Sequence, residues 1–390
     1  MSLQKNRKRL FVKGLGNLQL RLIEPTADAD FSNGGHLGGT TLSRVPNVAE
    51  IMDENGDLLD VKTIDEKVSI STKLKQSSKA EIDLLNNCAE QVYAIRYSGL
   101  ANGSTFQFFC LPVCRIKPGA SLDFKQGERE LAMMAYALKQ GELSFDVPLN
   151  YLIETDALVA TTGLRFWISP RSGFCYAIAK SLDASGYEYH GTLSGYSDVS
   201  DIHKSGTTPL YYDRFDGVND KVDYGDVLDI DATSDFLLEA WVRVQASNGS
   251  ALNILGKKNV GANSNPGFQL LRDSSNRPAV RLGDGVDTAL VTAAGTILNN
   301  AWHHVAFAAN RAGNGQVYID GAASGVAVDI TAIGDMSNAI SLIEGGCGTT
   351  FGQVDIGDRR IYNFGASGLP SDISTIVARH YSAEKTYYGL

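Results

Sequence analysis

Carboxylates spaced one residue apart, two adjacent histidines and a short run of oxygen-bearing side chains are the parts of this sequence that could do chemistry. Two carboxylates separated by one residue of a strand project from the same sheet face, as the acid and nucleophile of a retaining glycoside hydrolase must. Of the Glu-x-Asp type the chain has two strings, Glu81-Ile82-Asp83 and Glu154-Thr155-Asp156. Both lie before a segment of linker composition, Ser205-Gly206-Thr207-Thr208-Pro209. Beyond that segment, Asp355 and Asp358 are three apart and are expected on opposite sides of a strand. The expectation is therefore a protein that is not an enzyme, with no catalytic residues.

His303 and His304 are neighbours, so a strand would send them to opposite faces, one at the edge of a core and one in solvent. They cannot share one ion. Asp216, Asn219 and Asp220 offer hard oxygen ligands of the kind calcium takes, and turn chemistry favours reading them as an Asx-turn instead. Cys110 and Cys114 have the spacing of half a metal site, but no second pair matches it. Five cysteines without a CxxC indicate neither a disulfide framework nor a zinc centre, and no cofactor is implied. The string Gly34-Gly35-His36-Leu37-Gly38-Gly39 lacks the strand-then-helix setting of a phosphate loop, so Phe31 to Gly39 reads as a flexible loop.

At 390 residues the chain exceeds one ordinary core, which predicts at least two. Residues 1–209 carry 22 Lys and Arg against 24 Asp and Glu, a net of 22 − 24 = −2. Residues 210–390 carry 13 against 20, a net of 13 − 20 = −7. That acidity disfavours tight sequence-independent binding of nucleic acid. Only Lys5 to Arg9 is basic, as a solvated tail can be. No apolar run has the length of a signal peptide core or a membrane span, which predicts synthesis and folding in the cytosol.

The elements that must position these residues are mostly strands. Leu10 to Val12, Leu18 to Ile23, Val48 to Leu59 with a turn at Asn55-Gly56, and Val68 to Leu74 read as strands. Ser78-Lys79-Ala80-Glu81 opens one short helix that stops at Asn86-Asn87. Gln91 to Tyr97 and Ser104 to Ile116 are strand-like. Glu128 to Lys139 fits both periods, and its Ala, Met and Leu content favours helix locally. The aromatic stretch from Tyr151 to Asp201 reads as β-hairpins whose domain membership is open. After the linker come Phe215 to Val222, Phe236 to Val244, Ile254 to Lys257, Gly267 to Leu271 and Pro278 to Leu282. Ala301 to Phe307 and Gln316 to Gly321 then form a hairpin across Asn314-Gly315, and Asn259 to Asn265 is a loop, able to hold a sugar or simply to connect.

The ordered blocks Phe215-Asp216-Gly217-Val218-Asn219-Asp220, Glu239-Ala240-Trp241-Val242, Trp302-His303-His304-Val305-Ala306 and Val317-Tyr318-Ile319-Asp320-Gly321, with a closing strand Gln353 to Asn363 and a helix Ser371 to Ala378, closely resemble laminin-G-like, concanavalin-A-like domains. The resemblance implies a jelly roll of two curved antiparallel sheets, often with calcium or a glycan at the rim. It implies no activity.

Phe108-Phe109-Cys110-Leu111-Pro112-Val113-Cys114-Arg115-Ile116, then Leu122-Asp123-Phe124 and Glu130 to Leu138, are similar to the last strands of the tube-forming proteins of long-tailed bacteriophages. With the laminin-G-like sandwich at 210–390 the chain is expected to be mainly β, and the second resemblance implies a ring-forming sandwich or barrel with one short helix at residues 1–205, of which 150–205 are unassigned. It further implies a major tail tube subunit in the virion, assembled in the host cytoplasm, whose hexameric rings stack, meet other tail proteins and conduct genomic DNA without binding it. Glu128 to Lys139 must then be a strand. The exposed sandwich would decorate the tube and touch host-surface glycans. The rival expectation is a glycan-binding adhesin or tail-fibre component in which the sandwich is the working part.

Overall fold

The computed structural model describes residues 10–12, 17–24, 32–52, 58–76, 91–98, 106–125, 128–137, 151–155, 163–170, 180–185, 187, 189–209, 211–244, 251–259, 262–297, 300–347, 350–351 and 353–390. The chain divides into two compact units, Met1–Glu154 and Thr155–Leu390.

In the first unit the antiparallel path runs from Ser32–Met52 through Asn17–Glu24, Val92–Ser98, Phe106–Lys125, Glu128–Ala137 and Leu58–Gln76, and returns to Ser32–Met52. The sheet thus closes on itself. Leu10–Val12 and Tyr151–Thr155 add to it at Ser32–Met52 and Phe106–Lys125. Leu20, Ile70, Thr72, Val92, Tyr93, Ile95, Cys114 and Ile116 are buried while Ser71 and Arg115 are exposed, the period-two signature of a one-sided strand surface.

Two expectations are corrected here. Residues 32–39 of the expected Gly-rich loop are strand, because they pair on both sides: His36 with Asn17 and with Lys75, Leu37 with Leu74. Register shifts between Leu18 and Gln19 and between Leu37 and Thr40 absorb the glycines as bulges. Glu128–Ala137 is likewise a strand against its local preference, since Leu131 pairs with Leu74 and Leu122, and Ala135 with Ile70 and Ile116. Helix propensity amounts to a few tenths of a kcal/mol per residue, and two flanking ladders outweigh it. The expected helix at Ser78 to Asn87, the Asn55-Gly56 turn and basic Lys5 to Arg9 lie outside the described residues.

The second unit is a two-sheet sandwich. One sheet orders Lys180–Ser181, Gly191–Ser194, Lys221–Asp223, Ile343–Glu344, Leu252–Lys258, Gly267–Arg272, Pro278–Gly283 and Thr288–Thr292. The other orders His203–Ser205, Tyr211–Asp216, Gln353–Gly365, Asp235–Arg243, Trp302–Ala309, Asn314–Ile319 and Ala322–Ala323, with Leu164–Ile168 also on Gln353–Gly365. Phe236, Leu238, Ala240 and Val242 point inward to meet Phe268, Leu270, Val280 and Leu282. Phe236 lies 6.1 Å from Phe268 and 5.8 Å from Phe307, ring centre to ring centre.

The unit boundary falls at 154/155, not at the 205–209 segment. Phe166, Ile168, Leu193 and Ile202 all enter the sandwich core, and Ser205 pairs with Tyr211, so Ser205 to Pro209 lies in a hairpin. The turn expected at Asn314-Gly315 sits at Asn310 to Gly313 instead. There the Asn310 side chain accepts the Ala312 N–H at 3.0 Å, and Gly315 is already in the strand opposite Ala309. A Cβ on Gly315 would lie 2.8 Å from the Phe307 ring, which is why a glycine stands there.

A charged cluster crosses between the sheets. The Arg359 guanidinium, fully buried, donates to Glu344 through Nε and Nη2 at 2.7 Å each and pairs with Asp213 at 2.7 Å. Asp213 in turn holds His203 at 2.6 Å. Burial pushes the Glu344 carboxyl up despite Arg359. For Asp213, burial is outweighed by Arg359 and His203, which hold it below the usual range.

Candidate functional site

The FDGxND loop is built by its own backbone. Asp216 accepts the N–H groups of Val218 at 2.7 Å and Asn219 at 3.3 Å, and Asp220 accepts the N–H of Asp216 at 3.1 Å. The Asp216 and Asp220 carboxylates therefore act as turn caps, and burial raises Asp220. Among the described residues no three or more His, Cys, Asp or Glu side chains gather as a metal-binding group.

The face of the second sheet turned away from the core carries the rest. Leu237, Glu239, Trp241 and Arg243 alternate with the core residues and emerge there, and the C-terminal helix Ile373–Glu384 lies over part of it. That helix is expected to stop at Ala378 but runs to Glu384, because Ile376, Val377, His380 and Glu384 form one buried stripe. The Trp241 indole stacks on Tyr388 at 4.1 Å and 14°, and its N–H donates to Glu384 at 2.7 Å. Glu384 also pairs with Arg360, and His380 with Glu239 at 2.9 Å.

His304 is fully buried in this layer, 5.3 Å from the Trp241 ring and 3.7 Å from Glu239, so neither of the adjacent histidines is the solvated one. His303 is half-buried and meets Asp320 at 2.8 Å. Asp355 and Asp358 also depart from expectation. A register shift between Ala240 and Val242 puts a bulge beside them, and both reach the outer face. Asp358 accepts from the Tyr388 hydroxyl at 2.7 Å, and Asp355 is gripped by Arg243, whose guanidinium lies over the Trp302 ring that packs on Tyr388. The outer-face carboxylates Glu239, Asp355, Asp358 and Glu384 are buried and partnered, so none stands as a solvent-facing acid or base.

Burial holds the His304 imidazole below its ordinary value, with His380 and Arg360 adding to that and Glu239 and Glu384 opposing. For Glu239, burial is outweighed by His380, His304 and Arg360, which hold it low. The unfolded chain thus takes up protons that the folded form resists, first below about pH 6.5 at His304 and then below about 4.5 at Glu239. Lowering the pH from 7.5 to 5.5 is expected to lower the thermal midpoint. A His304→Leu variant should show a shallower decline; equal slopes in parallel circular-dichroism melts would refute the assignment.

The outer face opens at one corner. Arg214 donates to Asp355 through Nε at 2.7 Å and Nη2 at 3.1 Å, and Arg243 donates to the same carboxylate through Nε at 2.8 Å and Nη2 at 2.5 Å. The guanidiniums lie 5.5 and 5.1 Å from the Tyr212 ring centre, and Arg243 also lies 5.1 Å from that of Trp302. Asp355 is 1 % exposed, yet the Arg214 and Arg243 side chains keep 35 % and 20 %. The Trp302 indole nitrogen is buried with no hydrogen-bond partner among the described residues, an arrangement that costs about 1–3 kcal/mol. Rings flanked by planar polar edges suit a ligand with apolar faces and polar rims. Sequence reasoning did not reach Arg214 or Arg243; the outward alternation of Tyr212/Arg214 and Trp241/Arg243 was the available signal.

The two antiparallel sheets and inward-alternating core define a lectin-like β-sandwich. Residues 216–367 match the model of the Laminin_G_3 family, the concanavalin A-like lectin/glucanases superfamily, so the C-terminal half carries a domain of that kind. No curated protein matches the chain. Similar solved structures include the binding domain of Paraclostridial Mosquitocidal Protein 1 (16% identity, 57% of this chain and 52% of that one, TM-score 0.43). The botulinum neurotoxin serotype G binding domain matches at 18% identity over 56% of this chain and 50% of that one, with a TM-score of 0.41. Trypanosoma rangeli sialidase in complex with sialic acid matches at 13% identity over 88% and 53%, with a TM-score of 0.40. The chain spans about half the length of each of these structures, and overlays at these scores establish no shared function.

Proposed function

We propose that the protein is a carbohydrate-binding protein whose C-terminal sandwich engages saccharides without cleaving them. The observation that carries this reading is the match of residues 216–367 to a lectin and glucanase superfamily in a unit whose outer-face carboxylates are buried while an aromatic and arginine corner stays open. Binding and turnover separate cleanly in one experiment. The full chain applied to a glycan array is expected to retain saccharides, and the same glycans incubated with it are expected to release no new reducing ends. A blank array overturns the binding; accumulating reducing ends overturn the inert sandwich.

A second reading keeps the first unit as a ring-forming tail tube subunit of a virion, with the sandwich as its decoration, other tail proteins as neighbours and DNA passing through the lumen. What favours it is the strand at Glu128–Ala137, which that architecture requires and local propensity opposes. Negative-stain images of the purified chain are expected to show hollow rings or tubes of one diameter. Monomers or trimers alone would remove it and leave the adhesin.

A further inference from the structure

We propose that Arg214, Arg243, Tyr212 and Trp302 form a subsite for a negatively charged saccharide, one that carries a carboxylate or a sulfate. The inference rests on the saccharide-binding reading above and names the ligand class it takes.

Charge stoichiometry comes first. Two guanidiniums share one carboxylate, Asp355, and their Nε and Nη2 atoms make all the described bonds to it. The Nη1 atoms of both arginines donate to nothing among the described residues, and the pair retains a surplus positive charge. That surplus stands on a chain of net charge −9. The same acidity argues against a polyphosphate backbone, which needs an extended basic track.

Geometry comes second. Asp355 fixes both guanidinium planes, and Tyr212 underlies both, so the free edges are held in place before a ligand arrives. Planar guanidinium forks match the paired oxygens of a carboxylate or sulfate better than an ammonium would. The half-buried Tyr212 ring gives the apolar face of a sugar ring a surface beside that anion, and the buried Trp302 ring, 5.8 Å away and crossed at 74°, backs it. The buried Trp302 indole N–H, which has no acceptor among the described residues, belongs to the same cluster.

Four polymers test the subsite on the full chain: polygalacturonate and its carboxyl-reduced form, dextran sulfate and plain dextran. An acidic form is expected to bind at least about tenfold tighter than its neutral counterpart, the scale of one charge-assisted hydrogen bond. Preference for polygalacturonate alone assigns a carboxylate; preference for dextran sulfate alone assigns a sulfate. Arg214→Gln and Arg243→Lys should erase most of the preference and Trp302→Phe a smaller part, each with a native circular-dichroism spectrum. Arg277→Gln, which alters an exposed guanidinium outside the corner, should leave it intact. Equal binding of acidic and neutral polymers, or full preference in a folded Arg214→Gln variant, overturns the subsite while leaving the saccharide reading in place. Failure to bind these polymers or any glycan on the array overturns both.

Discussion

Replacing Arg359 with alanine is expected to cost the C-terminal unit about 3–5 kcal/mol and to lower its thermal midpoint by on the order of 10 °C. Asp213 and Glu344 are 2 % and 0 % exposed, and the lost guanidinium is the counter-charge they share. The cost is that of stranding two buried carboxylates, not the intrinsic worth of an ion pair. The triple variant Arg359→Met, Asp213→Asn, Glu344→Gln should therefore recover most of the stability, since no charge is left uncompensated. Urea titrations of the three proteins check this. A mild single variant, or a triple variant no better than the single, would mean that the cluster is not what ties the sheets.

Ending the chain at Pro370 should have the other large effect. Residues 371–390 supply Ile376, Val377, His380, Glu384 and Tyr388 to the outer face of the second sheet. Their loss bares Trp241 and strips Glu239 and Arg360 of their partners His380 and Glu384. Truncating one large buried aromatic already costs about 3–5 kcal/mol, and here the aromatic contacts and two charge partners go together. The expected result is loss of the cooperative unfolding transition of this unit and of its near-ultraviolet tryptophan signal. Retention of both would show that the helix merely rests on the sheet. Tyr388→Ala is the graded version: it removes the ring stacked on Trp241 and the hydroxyl that Asp358 accepts from.

Much of the sandwich was legible because each of its strands announces itself locally. Phe236 to Val244 and Trp302 to Phe307 read as strands from their residue types alone. Phe236 to Val244 is apolar almost throughout because the helix covers the face opposite the core, a tertiary fact no local period contains. The same limit explains Asp355 and Asp358. Strict alternation assigns them opposite faces, and only the pairing with Asp235–Arg243 reveals the bulge that reunites them. In the first unit, Gly34 to Gly39 and Glu128 to Ala137 carry the local marks of loop and helix, and both are overruled by partners distant in sequence. The open corner was hidden for a related reason: Tyr212, Arg214, Arg243, Trp302 and Asp355 come from four strands and converge only once the sheet is ordered.

Hydrogen exchange on the full chain, with and without a saturating saccharide drawn from the array, tests the central claim most directly. Slowed exchange should concentrate in Tyr211 to Arg214, Arg243 and Trp302 to His303, where the outer face opens. Protection confined to residues 1–154, or none anywhere in the sandwich, would contradict it.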